Sequence, residues 1–119
     1  MRVLLADDSR AMRQIIVRTL RQAGYNWQIE QAEDGAQALA MVLEREPDLV
    51  LSDWNMPNLT GIELLRVLRM RGYHTPFCFV TSEGSEELRE QAAAAGAFGL
   101  IAKPFTAESV REALDVAVW

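Results

Sequence analysis

A chain of 119 residues, half of them apolar and 24% charged, has the size of one domain and the means to bury one sizeable core. Its formal charge of −5, with an isoelectric point near 4.8, excludes a protein that holds nucleic acid by neutralising many phosphates, so no direct nucleic-acid partner is expected. The lone Cys78 has no disulfide partner and fits a core thiol in a reducing cytoplasm, and the longest uncharged apolar stretch, 92–102, is too short for membrane insertion.

Val3-Leu4-Leu5-Ala6 is a short continuously apolar run, the pattern of a strand buried on both faces. Met12, Ile15, Ile16, Leu20 and Ala23 then recur at helical spacing, and Gly24 predicts the stop of this first helix. Trp27-Gln28-Ile29-Glu30 alternates apolar with polar residues, as an edge strand does. Asp34 starts a second helix with Ala36, Leu39, Ala40 and Leu43 as its stripe, finished before Pro47, and Leu49-Val50-Leu51-Ser52 is a third strand. Thr60-Gly61-Ile62-Glu63 reads as a capping box for a third helix carrying Ile62, Leu65 and Leu68 and ending at Gly72. A fourth strand, Phe77-Cys78-Phe79-Val80, precedes a helix capped by Ser85 and running through Ala95, with Glu86 and Glu87 placed against its positive N-terminal dipole. Gly99-Leu100-Ile101-Ala102 is the fifth strand, and Thr106 caps a fifth helix with the stripe Val110, Leu114 and Val118.

Strands alternating with helices imply right-handed crossovers and an α/β fold. The expected architecture is a flavodoxin-like (βα)5 doubly wound sandwich, one domain over residues 1–119, around a five-stranded parallel sheet of order 2-1-3-4-5. Its functional crevice lies at the carboxyl ends of the strands, where the order reverses between strands one and three.

At that edge stand Asp7-Asp8 after strand one, Asp53 after strand three, Thr81-Ser82 after strand four and Lys103-Pro104 after strand five. Singly, each has an ordinary explanation: an Asp caps the next helix, a Thr closes a turn, a Lys is solvated. Together they form a constellation that caps do not require. Carboxylates about 4 Å apart repel by roughly 4 kcal/mol at an effective dielectric of 20, so a cation must offset them. Oxygen-only ligands with an open coordination sphere suit Mg²⁺, and a neutralised site admits a phosphoryl group, whose transfer needs positioning and charge stabilisation above all. Lys103 is the only lysine beside eleven arginines, which marks a position where a compact point charge is wanted. Pro104 leaves either isomer of the preceding peptide open.

This ordered set resembles the receiver domain of two-component response regulators: Asp7-Asp8, then Asp53-Trp54-Asn55-Met56-Pro57, then Thr81-Ser82-Glu83, then Lys103-Pro104-Phe105. The resemblance covers essentially the whole chain and is nearest to the single-domain chemotaxis members. It implies that Asp53 accepts a phosphoryl group from a histidine kinase or histidine phosphotransfer domain. It also implies Mg²⁺ held by Asp8, Asp53 and the Asn55 carbonyl, with Asp7 acting largely through water. Thr81 would bind a phosphoryl oxygen after transfer and Lys103 would pair with the acyl phosphate. The same resemblance implies a downstream effector protein or domain, and admits a phosphorylation-dependent dimer. Two departures stand out. Three residues before the lysine such domains usually carry a Tyr or Phe that turns inward on activation, and here stands Leu100. Where the chemotaxis members present basic and hydrophobic residues to motor and kinase, this chain has Glu86, Arg89, Leu100 and Ala113, which counts against flagellar-motor binding.

Residues 9–29 hold Arg10, Arg13, Arg18 and Arg21 and no acid, giving +4 against −9 for the rest of the chain. A solvated helix face accounts for them; the resemblance implies partner docking there, through Arg10 and Arg13, and steering of an acidic helical partner stands level with plain solvation. His74 lacks a second ligand-type neighbour and reads as a solvated loop residue, and Trp54 as a wall of the site. Two alternatives stay open. A Mg-dependent phosphohydrolase working through an aspartyl phosphate would need a substrate-recognition cap for which the chain is short. A structural interaction domain of the same fold would not need the acidic site. Met1 directly before strand one leaves nothing expected upstream, whereas an output domain after Trp119 stays open.

Overall fold

The computed structural model describes residues 1–102 and 105–115. Among them the strands β1 (Arg2–Ala6), β2 (Gln28–Ala32), β3 (Leu49–Ser52), β4 (Phe77–Thr81) and β5 (Gly99–Ala102) alternate with helices α1 (Arg10–Gln22), α2 (Gly35–Glu44), α3 (Gly61–Met70), α4 (Glu86–Ala95) and α5 (Ala107–Leu114). All neighbouring strands run parallel, in the order β2-β1-β3-β4-β5. This is the doubly wound sandwich that the alternation of elements predicts.

The continuous apolar runs follow from covering the sheet on both sides, because successive side chains point to opposite faces. Leu4, Ala6, Val50, Phe77, Phe79 and Leu100 pack with residues of α2, α3 and α4. Val3, Leu5, Leu49, Leu51, Val80 and Ile101 pack with Ile16 and Leu20 of α1 and Val110 and Leu114 of α5. Cys78 lies in this second layer, and burial pushes its thiol up to about 12, as befits a core residue. β2, at the edge, keeps the wetter pattern expected of it, although it starts one residue later than expected.

The expected caps form. Asp34, Thr60, Ser85 and Thr106 each accept a hydrogen bond from the amide three residues on, and Ser9 adds an unpredicted cap of the same kind at α1. Gly24 and Gly72 follow α1 and α3 with φ of +98° and +85°. Two helices differ from expectation in the face they bury. In α1, Ile15 is 44% exposed and Arg13 only 6%, because the buried face runs through Arg13, Ile16 and Leu20 at helical spacing. In α2 the buried residues are Gly35, Ala38 and Val42, with Ala36, Ala40 and Leu43 outward. That helix is almost wholly apolar, so its periodicity does not select a face; the seat of Gly35 against Leu59 does. Val118 lies outside the described residues.

The capping box of α3 generates a pH prediction. The Thr60 amide and hydroxyl both donate to Glu63 Oε1 at 2.9 Å, and these bonds hold the Glu63 carboxyl below its ordinary 4.5. A folded-state pKa below the unfolded one contributes stability that is present above the unfolded value and lost as pH falls through the folded value. Unfolding free energy should therefore fall on acidification below about pH 4.5, and Glu63→Gln should flatten that slope while lowering stability at neutral pH. Urea titrations from pH 3 to pH 7 check both, and an unchanged slope in the variant would remove Glu63 from the account.

Candidate functional site

The parallel register sets the end of β1 beside the end of β3, Ala6 opposite Ser52, so Asp7 and Asp53 emerge side by side. Backbone bonds fix both: the Asp7 amide donates to the Ala32 carbonyl at 3.1 Å and the Asp53 amide to the Ala6 carbonyl at 2.9 Å. Asp7 is buried, Asp53 half-buried and Asp8 exposed, and one carboxylate oxygen from each lies within 4.8 Å of the others. Asp7 Oδ1 accepts from the Ser9 amide at 2.8 Å, and Asp53 Oδ1 from the Trp54 amide at 2.7 Å. Asp8 and Asn55 share the lining of an open pocket of about 290 Å³ with Met56, Pro57 and Thr60.

The donor set is oxygen only and faces water on one side, which is what Mg²⁺ prefers. The chain's single histidine and cysteine lie elsewhere: Cys78 is buried in the core, and His74 precedes β4 at the opposite edge of the sheet. A nitrogen- or sulfur-ligated metal is therefore not what this cluster is built for.

Thr81 ends β4, buried, on the face that also carries Phe79 and Leu100, and its hydroxyl accepts from the Glu83 amide at 3.3 Å. Leu100 sits one strand over, opposite Phe79, and is 7% exposed. Trp54 packs on Phe79, ring centroids 4.6 Å apart, and so forms a wall between site and core. Lys103 and Pro104 lie outside the described residues.

Arg10 stands exposed in the first turn of α1, close to the acidic edge. Arg13 does not join it, which corrects the expectation that it docks a partner. Its guanidinium turns inward, donating to the Asp7 carbonyl at 2.6 Å and to Gln31 Oε1 at 2.9 Å. A buried cation must find acceptors, and here it braces the Asp7 backbone. Its place on the same helical face as Ile16 and Leu20 was a readable signal for this role.

Two further contacts are tertiary and carry no sequence signature. Gly61 donates its amide to the Trp54 carbonyl at 2.8 Å, and a Cβ there would press into the Asp53 carbonyl and lie 2.9 Å from Phe79. Asn58, at φ +69°, donates from its side-chain amide to Asp34 Oδ2 at 3.0 Å, tying the β3–α3 loop to the start of α2.

Comparison with known proteins agrees with this geometry. The response regulator receiver domain family matches residues 3–115, and the chain belongs to that family. Within it the chain is CheY-like. It is 41% identical to chemotaxis protein CheY-3 of Vibrio cholerae over 97% of this chain and 89% of that protein. It is likewise 41% identical to chemotaxis protein CheY of Pseudomonas aeruginosa, over 97% and 94%. The structure superposes on the chemotaxis response regulator CheY4 of Vibrio cholerae with a TM-score of 0.84 at 38% identity, covering 97% of this chain and 96% of that one. The class is that of a two-component signalling switch, whose members generally bind Mg²⁺ and form a phosphoaspartate; it is not a classical enzyme.

The close approach at Gly61 predicts the effect of a single methyl group. Gly61→Ala should displace the loop that carries Asp53 and Asn55 and cost about 1–3 kcal/mol of stability, as overpacking against backbone does. Urea unfolding measures it, and a variant as stable as the parent would show that the loop yields freely.

Proposed function

We propose that Asp53 accepts a phosphoryl group from the phosphohistidine of a kinase or phosphotransfer domain, and that this charge resets the α4–β5–α5 face for a downstream partner. The observation that carries the reading is the convergence of Asp7, Asp8 and Asp53 within 4.8 Å at the switch point of a receiver fold. Mg²⁺, held by Asp8, Asp53 and the Asn55 carbonyl with Asp7 acting through water, would supply the charge that lets a phosphoryl dianion approach three carboxylates.

In the transfer a carboxylate oxygen of Asp53 attacks phosphorus, a P–O bond forms, the P–N bond to the donor imidazole breaks, and the imidazole leaves with its electron pair. The Trp54 amide fixes the carboxylate through Oδ1. Afterwards the Thr81 hydroxyl, whose oxygen accepts from the Glu83 amide, donates its hydrogen to a phosphoryl oxygen in a charge-assisted bond. Lys103 pairs with the acyl phosphate. Arg10 is the proposed docking residue, and Arg13 supports Asp7 from within. No helix among the described residues is long and apolar enough to cross a membrane, which suits the cytoplasmic compartment proposed here. A phosphorylation-dependent dimer is compatible with the reading. Neither phosphohydrolase turnover nor a purely structural role has an observation of its own in its favour.

Asp53→Asn should abolish the mass increase that acetyl phosphate plus Mg²⁺ produces, and EDTA should abolish it in the parent. Labelling of the variant at a comparable rate, or labelling in excess EDTA, would sink the assignment.

The relay depends on Leu100, on the same side of the sheet as Thr81. A conformational equilibrium moves only by the differential stabilisation of its two states, and an aliphatic side chain without a polar tip offers little to exchange. Leu100→Tyr should therefore change partner affinity severalfold and phosphorylation rate by less than twofold. Unchanged affinity with a strongly altered rate would assign Leu100 to the chemistry.

A further inference from the structure

Residues 53–60, between β3 and α3, carry Asp53 and Asn55 without regular structure of their own. Among the described residues, the hydrogen bonds of residues 54–60 stay within 52–64 with one exception. Asn58 is the exception: its side-chain amide donates to Asp34 Oδ2 at 3.0 Å, across 24 positions of sequence. Asp34 thereby serves two elements. Its Oδ1 accepts from the Gln37 amide at 2.7 Å and caps α2, which leaves Oδ2 for the loop. Gln37 Oε1 in turn accepts from the Glu33 amide at 2.6 Å, so the turn that presents Asp34 is itself tied down. Beside this bond the two segments lie backbone on backbone, because a Cβ on Gly35 would run into the Leu59 carbonyl. Asn58 meets Asp34 from a φ of +69°, a conformation that Asn and Asp adopt more readily than other side chains. The Gln37 amide first and the Asn58 side chain second hold the Asp34 carboxyl below its ordinary 3.8. Asp34 is no member of the acidic cluster, but Asn55, in the loop it grips, lines one pocket with Asp8.

We propose that Asp34 is a positioning residue for the cation: by holding Asn58 it keeps the 54–60 loop in the arrangement in which Asn55 and Asp8 bound one pocket. The proposal rests on the reading that the acidic edge takes Mg²⁺ through Asp8, Asp53 and the Asn55 carbonyl. Mg²⁺ demands near-ideal octahedral geometry, so a carbonyl on an unsupported loop is a poor ligand for it. Apparent affinity is the intrinsic affinity reduced by the fraction of molecules whose site is competent. Asp34 acts on that fraction from the start of a helix that contributes no ligand. Coupling of this kind is reciprocal, so a cation that fixes the loop also firms the cap of α2.

The test titrates the full chain with Mg²⁺ by calorimetry, after urea unfolding has established that each variant is folded under the titration conditions. Asn58→Gly keeps the positive φ and removes the bond, and Asn58→Asp sets carboxylate against carboxylate. Asp34→Asn/Asn58→Asp reverses donor and acceptor, keeps the parent's net charge, and retains an equally good cap. Mg²⁺ affinity should fall about three- to tenfold in both single variants and return to within about twofold of the parent in the double variant. An added acid acting by charge alone would strengthen Mg²⁺ binding in Asn58→Asp, so tighter binding there overturns the proposal. Labelling of Asp53 by acetyl phosphate should need correspondingly more Mg²⁺ for its half-maximal rate in the single variants, while the rate at saturating Mg²⁺ stays within about twofold. Mg²⁺ should slow hydrogen exchange of the Gln37 amide in the parent and the double variant, and leave it unchanged in the single variants. Equal affinity in all four proteins, or a loss that the double variant does not recover, overturns the proposal and leaves the cation site and the Asp53 acceptor in place. A parent that binds no Mg²⁺ overturns the proposal together with the reading it rests on.

Discussion

Three carboxylates gathered at one sheet edge are the constraint on which the rest of the molecule depends. Their mutual repulsion, of order several kcal/mol at separations of about 4 Å, favours scattering them. They stay together because the β1–β3 register leaves Asp7 and Asp53 no other place, and because backbone amides of Ser9 and Trp54 donate to them. Arg13, buried against the Asp7 carbonyl, adds a cation within the fold. The two apolar layers on either side of the sheet carry the stability that makes such a cluster tolerable. A site held open against its own charge favours whatever cation can relieve it, which is how a structural cost becomes selectivity.

Precision at this edge comes from the β3–α3 loop, which is wedged from three sides. Gly61 lets its backbone lie on the Asp53 carbonyl, Gly35 lets Leu59 lie on the start of α2, and Asn58 reaches across to Asp34. The capping box of Thr60 and Glu63 then sets the direction of α3 immediately behind the loop. Trp54 continues the same line inward through Phe79 to Phe77, so displacement of the acceptor loop is felt by the core. The loop is thus a rigid support for Asp53 and Asn55, although it contains no regular structure.

What was legible in the sequence follows from locality. The strands announced themselves because both faces of the sheet are covered, and the helix starts because Asp34, Thr60, Ser85 and Thr106 act on amides three residues away. The site was legible because its residues sit directly after strands whose order the alternation implies. Arg13 was misjudged by its charge, when its spacing to Ile16 already pointed inward. The stripe of α2 was misjudged because a helix with apolar residues all round has no preferred face until a neighbour selects one. The glycine contacts and the Asn58 bridge join residues distant in sequence by backbone approach, and no local pattern encodes that.

Charge is divided along the chain as well as gathered at the site. The exposed arginines of α1, Arg10, Arg18 and Arg21, lie on one helix, while α4 and α5 turn mostly carboxylates outward. Fields of opposite sign on separate helices steer oppositely charged molecules to different parts of the surface. Between those surfaces runs a short physical path. Thr81 and Leu100 share one face of the sheet on neighbouring strands, and Arg89 grips the Leu100 carbonyl from α4. On the proposed reading, a hydroxyl drawn toward a new phosphoryl group would leave room in that layer, of which Leu100 could fill only part, leaving the remainder to a movement of α4. In this chain the side chain that links β5 to α4 is an arginine on the helix, so on the proposed reading any displacement passed along that bond would be one of the helix itself.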